Sequence, residues 1–356
     1  MKITTIEAWA VETPLAVPYI IAYDAIESMT NIFLRLETDN GINGYGCAAP
    51  DLPVTGETPA SVLQVYQDTI VPAVKGQNPL MMTRIMEELR PLLHPHPSAA
   101  AMIDMALWDI LGKTARLPLY KLLGGYRDSI PTSTTIGILP LEKTVSFAKE
   151  WVKKGFRILK IKGGLDVATD IERIIKVREA VGKSIQIRFD ANQGYSLDQA
   201  LAFSAGVKHE GIQLIEQPTP KSNPALLKEF RRGQTIPVMA DESLMNLEDA
   251  LFLVTGQMVD LFNIKLMKVG GIAAAMAMDH VARVGGVQSM VGCMDESSLA
   301  IAAALHFTLA SPNVIYADLD GHLDLLNDPA ADCVTIHNGI LFPRQQPGLG
   351  TFMVNR

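Results

Sequence analysis

The sequence predicts an α/β protein: a (β/α)8-type TIM barrel with an α+β capping domain formed by the N-terminal region and the C-terminal tail. Three observations point there. From about residue 130, eight short β-branched runs recur: TSTTIGI, RILKIK, IQIRFDA, IQLIEQ, VMADES, LFNIKL, SMVGCM and VIYADL. Stretches of helical periodicity separate them. The runs close on Thr135, Lys162, Asp190, Glu216, Asp241, Lys265, Cys293 and Asp318, at steps of 24 to 28 residues, which is one strand plus one helix repeated eight times. An open doubly wound sheet would need a glycine-rich turn after its first strand, and none is present.

Ahead of the repeats, residues 1–46 read as strands and turns. NIFLRLETDNGINGYG (31–46) alternates apolar and polar residues around Asp-Asn-Gly and Asn-Gly, a hairpin signal. From about 57 to 125 the pattern turns helical. SAAAMIDMALWDILGK (98–113) is apolar on nearly every side, with Ser98 as the expected N-cap and a glycine as the expected stop; such a helix is buried. After the eighth run comes a turn-rich tail with one hairpin-like stretch. The expected division is therefore a capping domain over 1–125, a barrel over 126–321, and a tail over 322–356 that returns to the cap.

Hydrophobic residues make up 48% of the chain, enough for a large core. The net charge of −7, without a basic stripe, argues against a nucleic-acid partner. Cys47, Cys293 and Cys333 form no CxxC pair, so a reducing compartment is expected. No apolar run reaches membrane-spanning length, and MKITTIEAWAVETPL lacks a signal peptide's apolar core. The expectation is a soluble, cytoplasmic protein with no membrane partner.

In barrels of this kind the active site lies at the C-terminal strand ends. Three successive strands end in Asp190, Glu216 and Asp241. Converging carboxylates repel unless a cation answers them, and Mg2+ takes carboxylate oxygens while leaving positions for substrate oxygens. Lys160 and Lys162 close the second strand and Lys265 the sixth. Strands two and six are four apart in a ring of eight, so Lys162 and Lys265 face each other across the mouth. That arrangement suits removal of a proton on one face of a carbon and its return on the other. A metal, a neighbouring cation such as Lys160, or desolvation would tune the lysine bases. A carboxylate substrate would have its α-proton acidified, and two opposed bases would permit inversion through an enediolate. His209, His280 and His306 fall in helical stretches or their flanks, so histidine bases are not expected. Asp318 and Asp320 crowd two like charges behind an apolar run, and a metal, an arginine or part of a substrate would answer them.

KIKGG (160–164), DANQGY (190–195), EQP (216–218), ADES (240–243) and NIKLMKVGG (263–271) together resemble the muconate-lactonizing-enzyme subgroup of the enolase superfamily, over nearly the whole chain. The resemblance implies one Mg2+ on Asp190, Glu216 and Asp241, with Asn192 orienting its shell. It implies Lys162 and Lys265 as the acid/base pair and Lys160 near the substrate carboxylate. The Asp318-x-Asp320 pair is similar to that of dipeptide epimerases, where it holds the substrate's α-ammonium, so the implied substrate is a dipeptide. Thr135 is a candidate hydrogen-bonding partner of the substrate backbone. Asp295 either adds to the same pocket or holds its loop. Homo-oligomers are common in this superfamily.

The capping loop PYIIAYDAIESM (18–29) would cover the site. Where Ala-Glu epimerases carry an arginine it has Asp24, near Tyr19 and Ile20. An acidic second residue is disfavoured. The apolar content suggests a hydrophobic dipeptide, and Asp24 leaves a cationic one open. N-succinylamino acid racemisation, o-succinylbenzoate synthesis and a non-catalytic binding protein are the remaining alternatives.

Overall fold

A computed structural model describes residues 1–22 and 25–350. The chain opens with an antiparallel sheet in the order β1 (Ile3–Ile20), β2 (Ala25–Thr38), β3 (Asn43–Ala48). The β2–β3 connection is the expected hairpin. It turns at Gly41, whose φ of 82° suits a residue without Cβ.

The helix Pro97–Ala115 lies under this sheet. Met102, Ile103 and Leu107 join the core of the cap, while Ala101 and Met105 join the core of the barrel. Two cores on opposite sides explain its near-total apolarity. Its expected ends do not hold. Ser98 lies inside the helix, and its backbone N–H is capped at 2.7 Å by the buried Glu57 carboxylate, which reaches in from 41 residues earlier. Gly112 is no stop either: the helix runs on to Ala115 and ends at Arg116 in the left-handed region. A Cβ on Gly112 would lie 2.5 Å from the Gly348 Cα, so close packing of the tail is what requires a glycine there.

The barrel begins after a short edge strand, β4 (Ile130–Pro131). Its staves are β5 (Thr134–Ile136), β6 (Ile158–Lys162), β7 (Gln186–Asp190), β8 (Ile212–Glu216), β9 (Val238–Ala240), β10 (Leu261–Lys265), β11 (Gln288–Gly292) and β12 (Val314–Asp318). They pair in sequence order, all parallel. A Thr132–Ala317 bridge and the Ser133 N–H on the Ala317 carbonyl (3.2 Å) bring the last stave back to the first. Helices follow each stave from β5 to β11, beginning with Leu141–Lys153 and ending with Ser298–Ala310. Among the described residues β12 has no helix after it. The turn-rich tail takes that place. Leu325 bridges Leu15, the Leu119 N–H bonds the Gly348 carbonyl at 2.9 Å, and the hairpin β13 (Val334–His337)–β14 (Ile340–Pro343) pairs with β4. The tail therefore touches β1, the segment after the central helix, and the barrel's entry strand.

Asp104 of the central helix fixes that helix against the barrel. Its carboxylate accepts the Ile272 N–H at 2.6 Å and so caps the helix Ile272–Val284. Asp104→Ala is expected to cost about 2 kcal/mol of stability, by loss of a buried cap. Asp104→Asn, whose amide oxygen still accepts, is expected to cost clearly less. Urea denaturation of the two variants checks this.

Candidate active site

Period-two alternation sorts the side chains of the staves. On β7, Ile187 and Phe189 join the hydrophobic core, while Arg188 and Asp190 carry the polar chemistry. On β6 the corresponding pair is Lys160 and Lys162. Asp190, Glu216 and Asp241 converge as expected: all three are buried, and one carboxylate oxygen from each lies within 4.8 Å of the others.

Lysines answer these charges from every side. The Lys160 ammonium sits 3.0 Å from Asp190, 2.8 Å from Glu216 and 2.8 Å from Asp318. Lys162 lies 2.7 Å from Asp190 and 2.9 Å from the Asn192 side-chain oxygen. Lys265 lies 2.8 Å from Asp241, which a further lysine, Lys268, also contacts. Burial alone would drive these groups toward neutrality, but the pairing dominates for most of them. Lys265 is held well above the usual lysine range by Asp241, and Lys160 likewise by Asp318, Glu216 and Asp190. Asp241 is held well below the usual carboxylate range by Lys265, Lys268 and Lys160. Glu216 goes the other way: burial and the neighbouring Asp190 charge push it up to about 8 despite the nearby Lys160.

Strand end and loop backbone complete the framework. Gln217 stands at a φ of 32°, and its side-chain oxygen accepts the Asp241 N–H at 3.0 Å and the Ser243 N–H at 3.1 Å. Asn192 stands at a φ of 42°, bonds Lys162, and donates to Glu242 at 3.1 Å. Positive φ at non-glycine residues is the kind of local strain that clusters at functional sites.

One cavity brings together Tyr19, Thr135, Lys160, Lys162, Asp241, Lys265, Asp295, Asp318 and Asp320 from the expected set. Lys162 on β6 and Lys265 on β10 are four staves apart, on opposite walls. The Asp-x-Asp pair divides its work. Asp318 ends β12, where Lys160 binds one oxygen and the Ser133 hydroxyl donates to the other at 2.5 Å. Against its burial, these partners hold it down at about 2. Asp320 follows in the turn and takes the Thr135 N–H at 2.5 Å. Burial and the Asp318 charge push it up to about 7. Thr135 thus serves Asp320.

The cap supplies the cover. Tyr19 donates to Asp295 at 2.8 Å, and the Ile138 N–H bonds the Ile20 carbonyl at 2.7 Å. A Cβ on Gly137 would stand 2.7 Å from the Tyr19 Cβ, so this close approach requires glycine. The expected role of Ile20 does not hold. With Tyr19 turned inward, strand alternation sends Ile20 outward, 47% exposed, and Ile21 lines the cavity instead. Asp24 lies outside the described residues. Sequence reasoning missed Asp51, Val54, Ile26 and Asp324 on the cavity wall, and Lys268, Ser133 and Arg188 beneath it. Lys268 carried a legible signal, as the second lysine of NIKLMK. Ser133 and Arg188 lie in the first and third strand runs, and Ile26 in the covering loop, but nothing local singled them out; Asp51, Val54 and Asp324 reach the site from segments remote from the strand runs.

Sequence models of two domain families match the chain. Residues 3–124 match the mandelate racemase/muconate lactonizing enzyme N-terminal domain, and residues 143–354 match the enolase C-terminal domain-like family. The chain belongs to the mandelate racemase/muconate lactonizing enzyme family. Within it, the L-Lys-D/L-Arg epimerase of Desulforapulum autotrophicum is 40% identical over 354 residues, covering 98% of this chain and 99% of that one. The solved substrate-liganded L-Ala-D/L-Glu epimerase of Bacillus subtilis superposes with a TM-score of 0.96 at 36% identity, covering 98% of both chains. The Enterococcus faecalis dipeptide epimerase, solved with Mg and L-Leu-L-Tyr, gives 0.94 at 36% identity, covering 98% of this chain and 99% of that one.

The donor set of this family member fits such an ion. Three buried carboxylates converge, and the Glu216 Oε2 accepts no hydrogen bond although Lys160 stands beside it. All-oxygen donors are what Mg2+ takes. Glu216 must be ionised to accept a cation, and without one it titrates at about 8. Mg2+ binding is therefore expected to release protons and to tighten as pH rises from about 6 to about 8. Calorimetry in buffers of different ionisation enthalpy checks this; affinity that stays flat over that range, with no proton release, would contradict it.

Proposed function

We propose that the protein is a Mg2+-dependent dipeptide epimerase that inverts the α-carbon of the C-terminal residue and prefers dipeptides with cationic side chains. Asp190, Glu216 and Asp241 would hold the ion, which when bound withdraws charge from the substrate carboxylate and acidifies the adjacent α-proton. Lys162 and Lys265 would exchange that proton, one on each face of a planar enediolate, so that removal by one and return by the other inverts the centre. Asp318 and Asp320 would take the dipeptide's α-ammonium. Asp320 has the greater need of one, because burial and then the Asp318 charge raise its pKa.

The observation that carries the side-chain preference is the charge of the cavity's outer wall. Asp51, Asp295 and Asp324 line it. Burial, together with the Asp324 and Asp51 charges, pushes Asp295 up to about 6 although Tyr19 donates to it and the Lys162 charge pulls the other way. The lysines lining the cavity among the described residues are the three at the strand ends, and no arginine lines it. An acidic side chain would meet repulsion there, and an ammonium or guanidinium would relieve it. Hydrophobic dipeptides are the second reading, supported by Ile21, Ile26, Val54 and Met294 on the same wall.

Incubation with Mg2+ in D2O, following the C-terminal α-proton, tests this on L-Lys-L-Arg, L-Leu-L-Tyr, L-Ala-L-Glu and N-succinyl-L-Arg. The expected order puts L-Lys-L-Arg first in kcat/KM, by roughly tenfold or more. A faster L-Leu-L-Tyr would support the second reading, and exchange with none of the four would contradict the proposal. Lys162→Ala and Lys265→Ala are each expected to lose epimerisation by about a thousandfold or more. One variant should still exchange the α-proton of the L,L substrate and the other that of the L,D substrate. Loss of both exchanges in both variants would contradict opposed bases.

A further inference from the structure

Inside the barrel, one turn of alternation below Asp190, lies the guanidinium of Arg188, fully buried. Its Nε donates to the Gln213 side chain at 2.7 Å. One terminal nitrogen donates to the Ala317 carbonyl at 2.8 Å and to the Ser133 hydroxyl at 3.2 Å. Its Cζ lies over the Tyr316 ring, 4.5 Å from the ring centre. The other terminal nitrogen has no hydrogen-bond partner among the described residues. The arginine therefore grips the last stave twice, through the ring of Tyr316 and through the peptide oxygen directly before Asp318. It also reaches Asp318 through one intermediary, because the Ser133 hydroxyl that accepts from Arg188 donates to the Asp318 carboxylate at 2.5 Å.

Core packing does not account for this charge. A guanidinium buried with an unpaired donor is a poor substitute for an apolar side chain of similar size. Its contacts are also directed: three of them fall on Tyr316, Ala317 and the Ser133 bridge, which together fix where Asp318 stands.

We propose that Arg188 and Ser133 are positioning residues for the substrate's α-ammonium, holding Asp318 as an oriented carboxylate, so that discrimination between free-amino and N-acylated dipeptides runs through them. This rests on the reading of Asp318 and Asp320 as the ammonium site. Neither residue touches the reacting carbon. Their loss is felt through Asp318: without the Ser133 donor, the carboxylate is left to Lys160 and drawn toward the metal acids, away from Asp320.

The test is calorimetric titration of the Mg2+-loaded protein with L-Lys-L-Arg and with N-acetyl-L-Lys-L-Arg, with α-proton exchange followed on the same samples. Wild type should bind the free-amino peptide more tightly. Ser133→Ala, a small change with little risk to folding, should weaken that peptide about tenfold and the acetylated one by less than about twofold. Arg188→Met should act in the same direction, and Arg188→Lys should recover part of the loss by keeping a donor near Ala317. If Arg188→Met does not fold, Ser133→Ala and Arg188→Lys carry the test. Equal weakening of both peptides, or none, would overturn the inference. So would a wild type that does not distinguish the peptides, since the ammonium site would then be elsewhere. Selective binding altered as described, but with no α-proton exchange in wild type, would support the inference while removing the epimerase reading.

Discussion

Three carboxylates at neighbouring strand ends repel one another, and burial makes that repulsion costly. The rest of the site is arranged around this constraint. Asp190, Glu216 and Asp241 are each essentially out of water, and so are the lysines that answer them. Lys160 is the hub, in contact with two of the acids and with Asp318 on the far side of the ring. A buried charge stripped of its partner is destabilising by several kcal/mol. Each acid therefore constrains its lysines as firmly as they constrain it. The same excess of oxygen donors at one point suits the site to a divalent cation, which gives Glu216, the least satisfied of the three, its reason to ionise.

Barrel and cap line one cavity together, and the proposed side-chain preference draws on both, through Asp51 of the cap and through Asp295 and Asp324 beyond the last two staves. The barrel contributes acids, lysines and the Asp318–Asp320 end of the last stave. The cap contributes Tyr19, Ile21, Ile26, Asp51 and Val54 to the same cavity. Gly137 lets the end of β1 settle directly on the first stave, and the Tyr19–Asp295 hydrogen bond ties it to the loop after β11. The cap residues stand apart from the strand-end acids and the lysines paired with them. That fits a family in which relatives of near-equal similarity to this chain act on Lys-Arg, Ala-Glu and hydrophobic dipeptides.

The barrel was legible because its signal is periodic. Steps of 24 to 28 residues between polar strand ends survive without any knowledge of three-dimensional contacts, and they put the acids and the opposed lysines in register. What was hidden depends on partners far away in sequence. Ser98 has the chemistry of an N-cap, but Glu57 performs that task from 41 residues upstream. Gly112 resembles a helix stop, but it answers to Gly348. Ile20 looked like a wall residue because a loop has no strand phase, and continuation of β1 supplied the phase that turns it out. The two aspartates of the last stave were an excess of negative charge with three candidate partners. The fold supplies a partner outside those three, Lys160, with Arg188 behind Ser133, and among the described residues Asp320 has no cation as a hydrogen-bonding partner.

The central claim is that two lysines on opposite walls act on one carbon. Its most direct measurement is the isotope content of both epimers during the first turnovers of an L,L-dipeptide in D2O with Mg2+. Two opposed bases put solvent deuterium into the product epimer from the first turnover, whatever label the substrate regains through the lysine that deprotonated it. A product that keeps the substrate's own proton, with no solvent label, would mean that a single group carries the proton across the face, and would contradict the account.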